Sequence, residues 1–197
     1  MDSASHRGLY HKLIEGKEQL SDYQEEIAYL QSQDVKVLGI VADGFQGLRE
    51  AFPSIPFQYC QFHQMQRIRQ LLTSNPRLQA SIELKQLVAR LSQSSRQDFT
   101  HALELWHDMW RSFLAEKTWL SDEKWTYTHR RIRAAYYSFK RHLEVLFTYE
   151  ALLEAKMPKT NNAIEALNSI LKMRLRIHRG ISAQRRRELI ANLLSAY

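Results

Sequence analysis

The chain is poor in several things that would otherwise decide its class. Cys60 is its single cysteine, so no intrachain disulfide can form, and a reducing cytosol suits it. No apolar run approaches the roughly 20 residues a membrane-spanning helix needs, and no membrane partner is expected. The opening Met1-Asp2-Ser3-Ala4-Ser5-His6-Arg7-Gly8 has no apolar signal core, which argues against secretion. Internal repeats and low-complexity linkers are missing as well. Acids are the scarcer charge: 21 Asp and Glu stand against 28 Lys and Arg, a formal charge of +7 with a pI of about 9.6. That balance makes nucleic acid a more natural partner than an acidic protein surface, although many soluble proteins are this basic without binding DNA. With 44% hydrophobic residues in 197, the chain can bury one core, or a core with a helical appendage.

Leu9 to about Ser32 reads as a helix, with Leu13, Leu20, Tyr23, Ile27 and Leu30 at mostly helical spacing and Gly16 weakening its middle. Val35 to Ala42 is short, β-branched and interrupted by charge only at Lys36, the pattern of a strand covered on both faces. Asp43-Gly44 supplies a turn, Gln46 to Phe52 a short helix, and Phe57 to Cys60 a second strand. Together these predict a right-handed parallel βαβ unit. From about Gln61 the pattern is helical nearly throughout. Phe99, Leu103, Trp106, Trp110 and Phe113 form one amphipathic stripe, preceded by Ser95 and Asp98 at capping-box spacing. Helices are expected over 77–92 and 122–155, the latter broken by Met157-Pro158-Lys159. Two more follow, over 162–176 and 183–196.

Two carboxylates carry the chemical interest. Asp43 stands at the end of a strand, where functional groups of parallel α/β sheets collect, and Gly44 lets the backbone turn away from a ligand. It would equally cap the short helix that follows. Glu165 shares a polar ribbon with Asn161, Asn168 and Lys172 on the late helix, while Ile164, Leu167, Ile170 and Leu171 take the apolar side. A glutamate there can reach a metal held by strand carboxylates. Mg²⁺ or Mn²⁺ with oxygen ligands would serve phosphodiester chemistry. A solvated helix face, with Glu165 offsetting nearby cations, fits the same spacing.

Lys172, Arg174, Arg176, His178, Arg179, Arg185, Arg186 and Arg187 follow with no acid between them. Such a run is often a solvated surface, but beside a phosphodiester site it reads as phosphate contact. A second cluster interleaves Trp125, Tyr127, Tyr136, Tyr137 and Phe139 with His129, Arg130, Arg131, Arg133, Lys140 and Arg141. Rings and cations in alternation suit unpaired bases at a DNA end, although most such rings belong to cores. Cys60 and His63 make a C-x-x-H pair without the second pair a structural zinc requires, so no zinc is expected and a packing role is preferred.

VADGFQGLREAFPSIPFQYCQFHQMQRI and the later TNNAIEALNSILKMRLRIHRG closely resemble bacterial insertion-sequence transposases related to the Mutator superfamily. The resemblance covers nearly the whole chain, with the Asp-Gly, the C-x-x-H and the TN-x-x-E helix in the same order. It implies an α/β, mostly helical protein. A partial RNase H-like core over 1–64, with two or so parallel strands, is followed by an all-helical insertion over 65–158. Core helices return over 159–197. It also implies a DDE mechanism with divalent metal, in which Asp43 is the second acid and Glu165 the third. Cys60, His63, Asn161 and Asn162 lie in motifs near that site. Such transposases carry their first Asp on a strand before the opening helix, and no residue here matches it. Asp2, Asp22 and Asp34 lie outside any such strand. The chain is therefore expected to be the C-terminal part of a transposase, weak or inactive alone, bacterial, cytoplasmic and nucleoid-associated. Its partners would be transposon ends, target DNA, and a second copy or a full-length transposase. A non-catalytic DNA- or partner-binding remnant is the alternative from another class, and an unstable fragment a third.

Overall fold

Helix α1 spans Leu20–Ser32, eleven residues short of where the apolar spacing starts it. Gly16 adopts φ 120°, a left-handed value that interrupts an L-residue helix. The Gln19 amide then donates to the Asp22 carboxylate at 2.8 Å, satisfying one of the first-turn groups a new helix leaves open. The expected contribution of Leu13 lies outside the described residues. The computed structural model describes residues 1–2, 5, 7–12, 14 and 16–194.

Strand β1 covers only Ile40–Ala42 and pairs with β2, Phe57–Tyr59, in a two-stranded sheet. The Ile40 amide donates to the Pro56 carbonyl at 2.9 Å. Residues 35–39 carry no ladder, and Lys36 and Leu38 are exposed; the expectation of a strand over Val35 to Ala42 covered on both faces is therefore corrected. A strand whose ladder has a single neighbour is not the centre of a sheet, and β-branched residues alone do not make it one. Between the strands, α2 is a single turn, Leu48–Ala51, entered through Gly47 in the left-handed region at φ 83°.

The next elements are α3 (Gln61–Leu72), α4 (Gln79–Ala89), a 3-10 turn at Leu91–Gln93 and α5 (Arg96–Ala115). Ser95 caps α5 by accepting from the Asp98 amide at 3.1 Å. Phe99, Leu103 and Trp106 are buried along the expected stripe, with Trp110 and Phe113 partly so. The helix expected over 122–155 does not form as one piece. Strands β3, Lys117–Trp119, and β4, Trp125–Tyr127, make an antiparallel hairpin. Then come α6, Arg130–His142, and a 3-10 turn at Thr148–Ala151. Thr118, Trp119, Trp125, Thr126 and Tyr127 have the branched and aromatic side chains that favour strands. The tip closes where the Leu120 amide donates to the Lys124 carbonyl at 2.7 Å. The stretch read as an all-helical insertion thus contains a β-hairpin.

Helices α7, Asn162–Ile177, and α8, Ala183–Leu194, complete the order; Ala196, expected to extend the last helix, lies outside the described residues. The molecule is mostly helical with a few short strands, and no helix among the described residues is long and apolar enough to cross a membrane.

Packing divides the chain into two compact units: Met1–Phe57 with Leu152–Tyr197, and the intervening Gln58–Ala151. In the intervening unit, α3 to α6 enclose an apolar core that includes Ile68, Leu84, Phe99, Leu103, Phe139 and Leu146. Gln58, Gln61 and Gln64 are fully buried in the same unit. Gln58 Nε2 donates to the carbonyls of Leu146 and Tyr59, both at 2.8 Å, and Gln61 Nε2 to that of Leu146 at 2.9 Å. The discontinuous unit is thinner: among its described residues the buried apolar ones are Leu30, Leu48 and Phe57. Its two segments meet where Met157 lies against Gly39; a Cβ there would come within 2.8 Å of Met157 Cε.

Candidate functional site

Asp43 follows β1 directly and is exposed. Gly44 takes φ 91° and Gly47 φ 83°, so the backbone folds away from the carboxylate as the Asp-Gly pair implies. No side-chain bond from Asp43 caps α2, whose N-cap is Gly47. The loop leans on α1. Phe45 packs on Tyr23 with ring centroids 5.2 Å apart, and Leu20 sits beside Gly47. The Tyr23 hydroxyl donates to the Glu18 carboxylate. Burial, then the Glu18 bond and charge, then the charges of Asp43 and Glu26 push the phenol well above its usual range. Glu26 is itself raised, chiefly by burial. Tyr23 is therefore the neighbour of the Asp43 loop that sequence reasoning missed. Tyr23 lies on α1, and only the tertiary approach of the loop reveals its relation to Asp43.

Glu165 lies in the first turn of α7, half-buried. A carboxylate is well placed there, since the helix macrodipole favours negative charge at this end. Asn161 is the N-cap; its carbonyl accepts from the amides of Ile164, at 3.0 Å, and Glu165, at 3.2 Å. Its side chain does not cap the helix, and Asn161 Oδ1 is buried with no hydrogen-bond partner among the described residues. A buried oxygen in that state costs about 1–3 kcal/mol, and sites for ligands are a common setting for such a cost. Asn162 is exposed. The apolar side of α7 is only partly covered: Leu167, Ile170 and Leu171 are half-buried and Ile164 is 37% exposed. The expectation that Ile164 faces a core is corrected accordingly.

The basic residues divide by role. Lys172, Arg174, Arg176, Arg179, Arg185, Arg186 and Arg187 are all exposed. Arg174 and Arg176 end α7, where cations suit the helix dipole without any ligand. Arg185 and Arg186 instead fall in the first turn of α8, with Arg187 just after it, and the dipole disfavours cations in that first turn. The Arg130, Arg131 and Arg133 group opens α6 and belongs to the other unit. Arg131 donates to the Gln70 carbonyl and Arg133 to that of Leu114, both at 2.6 Å, so two of the three tie elements together. Cys60 is fully buried at the N-cap of α3, and His63 packs edge-on against Phe62 within the first turn.

The donor types at Asp43, Glu165 and Asn161 are oxygens, which suit Mg²⁺ or Mn²⁺. The described residues nevertheless bring no three of His, Cys, Asp and Glu together as a metal cluster. The donors match the ion in kind and fall short in number, and no reaction step is derived through a metal. No family model, curated protein or solved structure matches the chain.

Proposed function

We propose that this chain is the C-terminal part of a DDE transposase of the Mutator-related group, acting on DNA. Asp43 and Glu165 would be the second and third acids, and the first would come from another segment of the transposase. One observation carries the reading: the two acids belong to the same compact unit, although the whole of Gln58–Ala151 separates them in sequence. An RNase H-like core interrupted by an insertion requires that arrangement, and the short β1–β2 sheet would be its remnant. The arginines at the start of α8 add support. Cations in the first turn, Arg185 and Arg186, are disfavoured by the helix dipole, whereas phosphates held there would be favoured.

In this reading the chain binds DNA with strong salt dependence, and a divalent metal would be held only by the complete acid set, of which Asp43 and Glu165 would be two members. The test is strand cleavage of DNA from the flanks of its own reading frame, with Mn²⁺. The chain alone should bind without cutting. Mixed with an upstream segment bearing a strand-end Asp, it should cut, and Asp43→Ala or Glu165→Gln should abolish the reaction. Cleavage indifferent to both substitutions would refute the assignment. Binding without cleavage in every mixture would favour a non-catalytic DNA-binding remnant.

A further inference from the structure

The β3–β4 hairpin presents its large side chains to solvent. Its register pairs Lys117 with Tyr127, Thr118 with Thr126 and Trp119 with Trp125. Because side chains alternate between faces, one face carries Lys117, Trp119, Trp125 and Tyr127, and the other carries the threonines. Trp119 is 63% exposed and Trp125 41%, whereas Trp106 in the nearby core is 5% exposed. Leu120, at the tip, is 67% exposed. Two cations already sit on these rings. Lys117 Nζ lies 3.8 Å from the Trp125 centroid, and the Arg133 guanidinium carbon 3.4 Å from that of Tyr127. Trp125 and Tyr127 meet edge to face at 5.1 Å, which leaves the Trp119 face open beside them.

We propose that this face is a stacking platform for unpaired nucleotides of a DNA strand. Rings offered to solvent in a row, with a cation between them, bind a polyanion whose bases have π-faces. The charges agree. The charged residues on the paired face are Lys117 and, docked against it, Arg133. Glu116, hydrogen-bonded to His129 at 2.9 Å, precedes β3, and Asp122 and Glu123 stand in the tip loop, outside the ladder, with Asp122 in the same shallow hollow as Trp119. A second copy of the chain is the weaker occupant, because a two-fold interface on this face would set Lys117 and Arg133 against their own equivalents. The inference deepens the DNA reading above by naming unpaired strands as a ligand, but it rests on the Gln58–Ala151 unit and needs neither Asp43 nor Glu165.

The experiment measures binding of a fluorescent thymidine oligomer of about 12 nucleotides to the full chain, beside a blunt duplex of equal length. Trp119→Ala should weaken oligomer binding roughly tenfold and the Trp119→Ala/Trp125→Ala pair further, with duplex binding unchanged. Trp119→Phe, which keeps a ring, should retain most of the affinity. Far-UV circular dichroism and the urea midpoint of each variant separate lost binding from lost folding. Unchanged oligomer affinity in the folded double variant would overturn the proposal. So would tighter binding of a uridine oligoribonucleotide than of thymidine, or a dimer in sedimentation that Trp119→Ala dissolves while oligomer affinity stays the same.

Discussion

Gln58→Leu tests the account of the buried amides most directly. The wild-type side chain is fully buried and makes three bonds. Nε2 donates to Tyr59 O and Leu146 O, and Oε1 accepts from the Tyr149 amide at 3.0 Å. Leucine has similar volume and none of these groups. The Leu146 carbonyl would keep its bond from Gln61, whereas Tyr59 O and Tyr149 N–H each lose the Gln58 bond. At about 2 kcal/mol for each loss the gross cost is about 4 kcal/mol. Burying an apolar side chain in place of an amide returns about 2 kcal/mol. The expected net destabilisation is therefore about 2 kcal/mol, and Gln58→Ala should cost more because it also leaves a cavity.

The assay is convenient because all four tryptophans, Trp106, Trp110, Trp119 and Trp125, lie in the Gln58–Ala151 unit. Urea unfolding followed by tryptophan fluorescence thus reads that unit alone. A Gln58→Leu midpoint within about 0.5 kcal/mol of wild type, at unchanged slope, would refute the reasoning. It would mean that the amides sit in the core without holding the 142–149 turn in place.

Three further outcomes follow from the same geometry. Far-UV circular dichroism, which sees both units, should show a urea transition beginning before the fluorescence change, because the discontinuous unit has so few buried apolar residues; superimposable curves would contradict this. Burial raises the Glu26 carboxyl above its ordinary value, so the unfolded chain ionises first, and stability falls as pH rises from about 4.5 through the higher folded value. Glu26→Gln should accordingly raise the midpoint of the circular-dichroism transition at pH 7.5 and leave it unchanged near pH 4; a loss of stability at pH 7.5 would oppose the burial argument. Neutralising Arg185, Arg186 and Arg187 together should flatten the slope of log affinity against log salt for duplex DNA by about 2.7, if each meets a phosphate. An unchanged slope would make them a solvated surface.

What the sequence disclosed depended on how local the determining interactions are. The α5 stripe and its Ser95 cap were legible because both are written within a few turns of one helix. The same holds for α7 and the turn after Asp43. The β3–β4 hairpin was hidden because its three-residue strands lie beside a long basic, helix-favouring segment, and only the strand pairing separates them. Gln58, Gln61 and Gln64 carry no local sign of burial, since their partners Leu146, Ser138 and Tyr149 are remote in sequence. The stretch before Ile40 failed for the opposite reason: Val35 and Val37 favour a strand, but no neighbouring strand pairs with them. Tyr23 could not be tied to Asp43 without knowing that α1 packs beside the loop.

Stability and candidate chemistry are distributed unequally between the two units, and that inequality has a consequence for binding. The unit bearing Asp43 and Glu165 buries few apolar residues, and α7 has no fully buried residue, so its opening free energy belongs at the low end of the molecule. Elements of that kind gain most visibly from a ligand that binds only the folded form, by about 2.7 kcal/mol at one hundred times the dissociation constant. Duplex DNA held by α7 and α8 should therefore move the early circular-dichroism transition to higher urea and leave the tryptophan transition in place. A thymidine oligomer on the hairpin should shift the tryptophan transition instead. If both ligands shifted only the tryptophan transition, the basic helices would not be a DNA interface, and the hairpin would carry all of the binding.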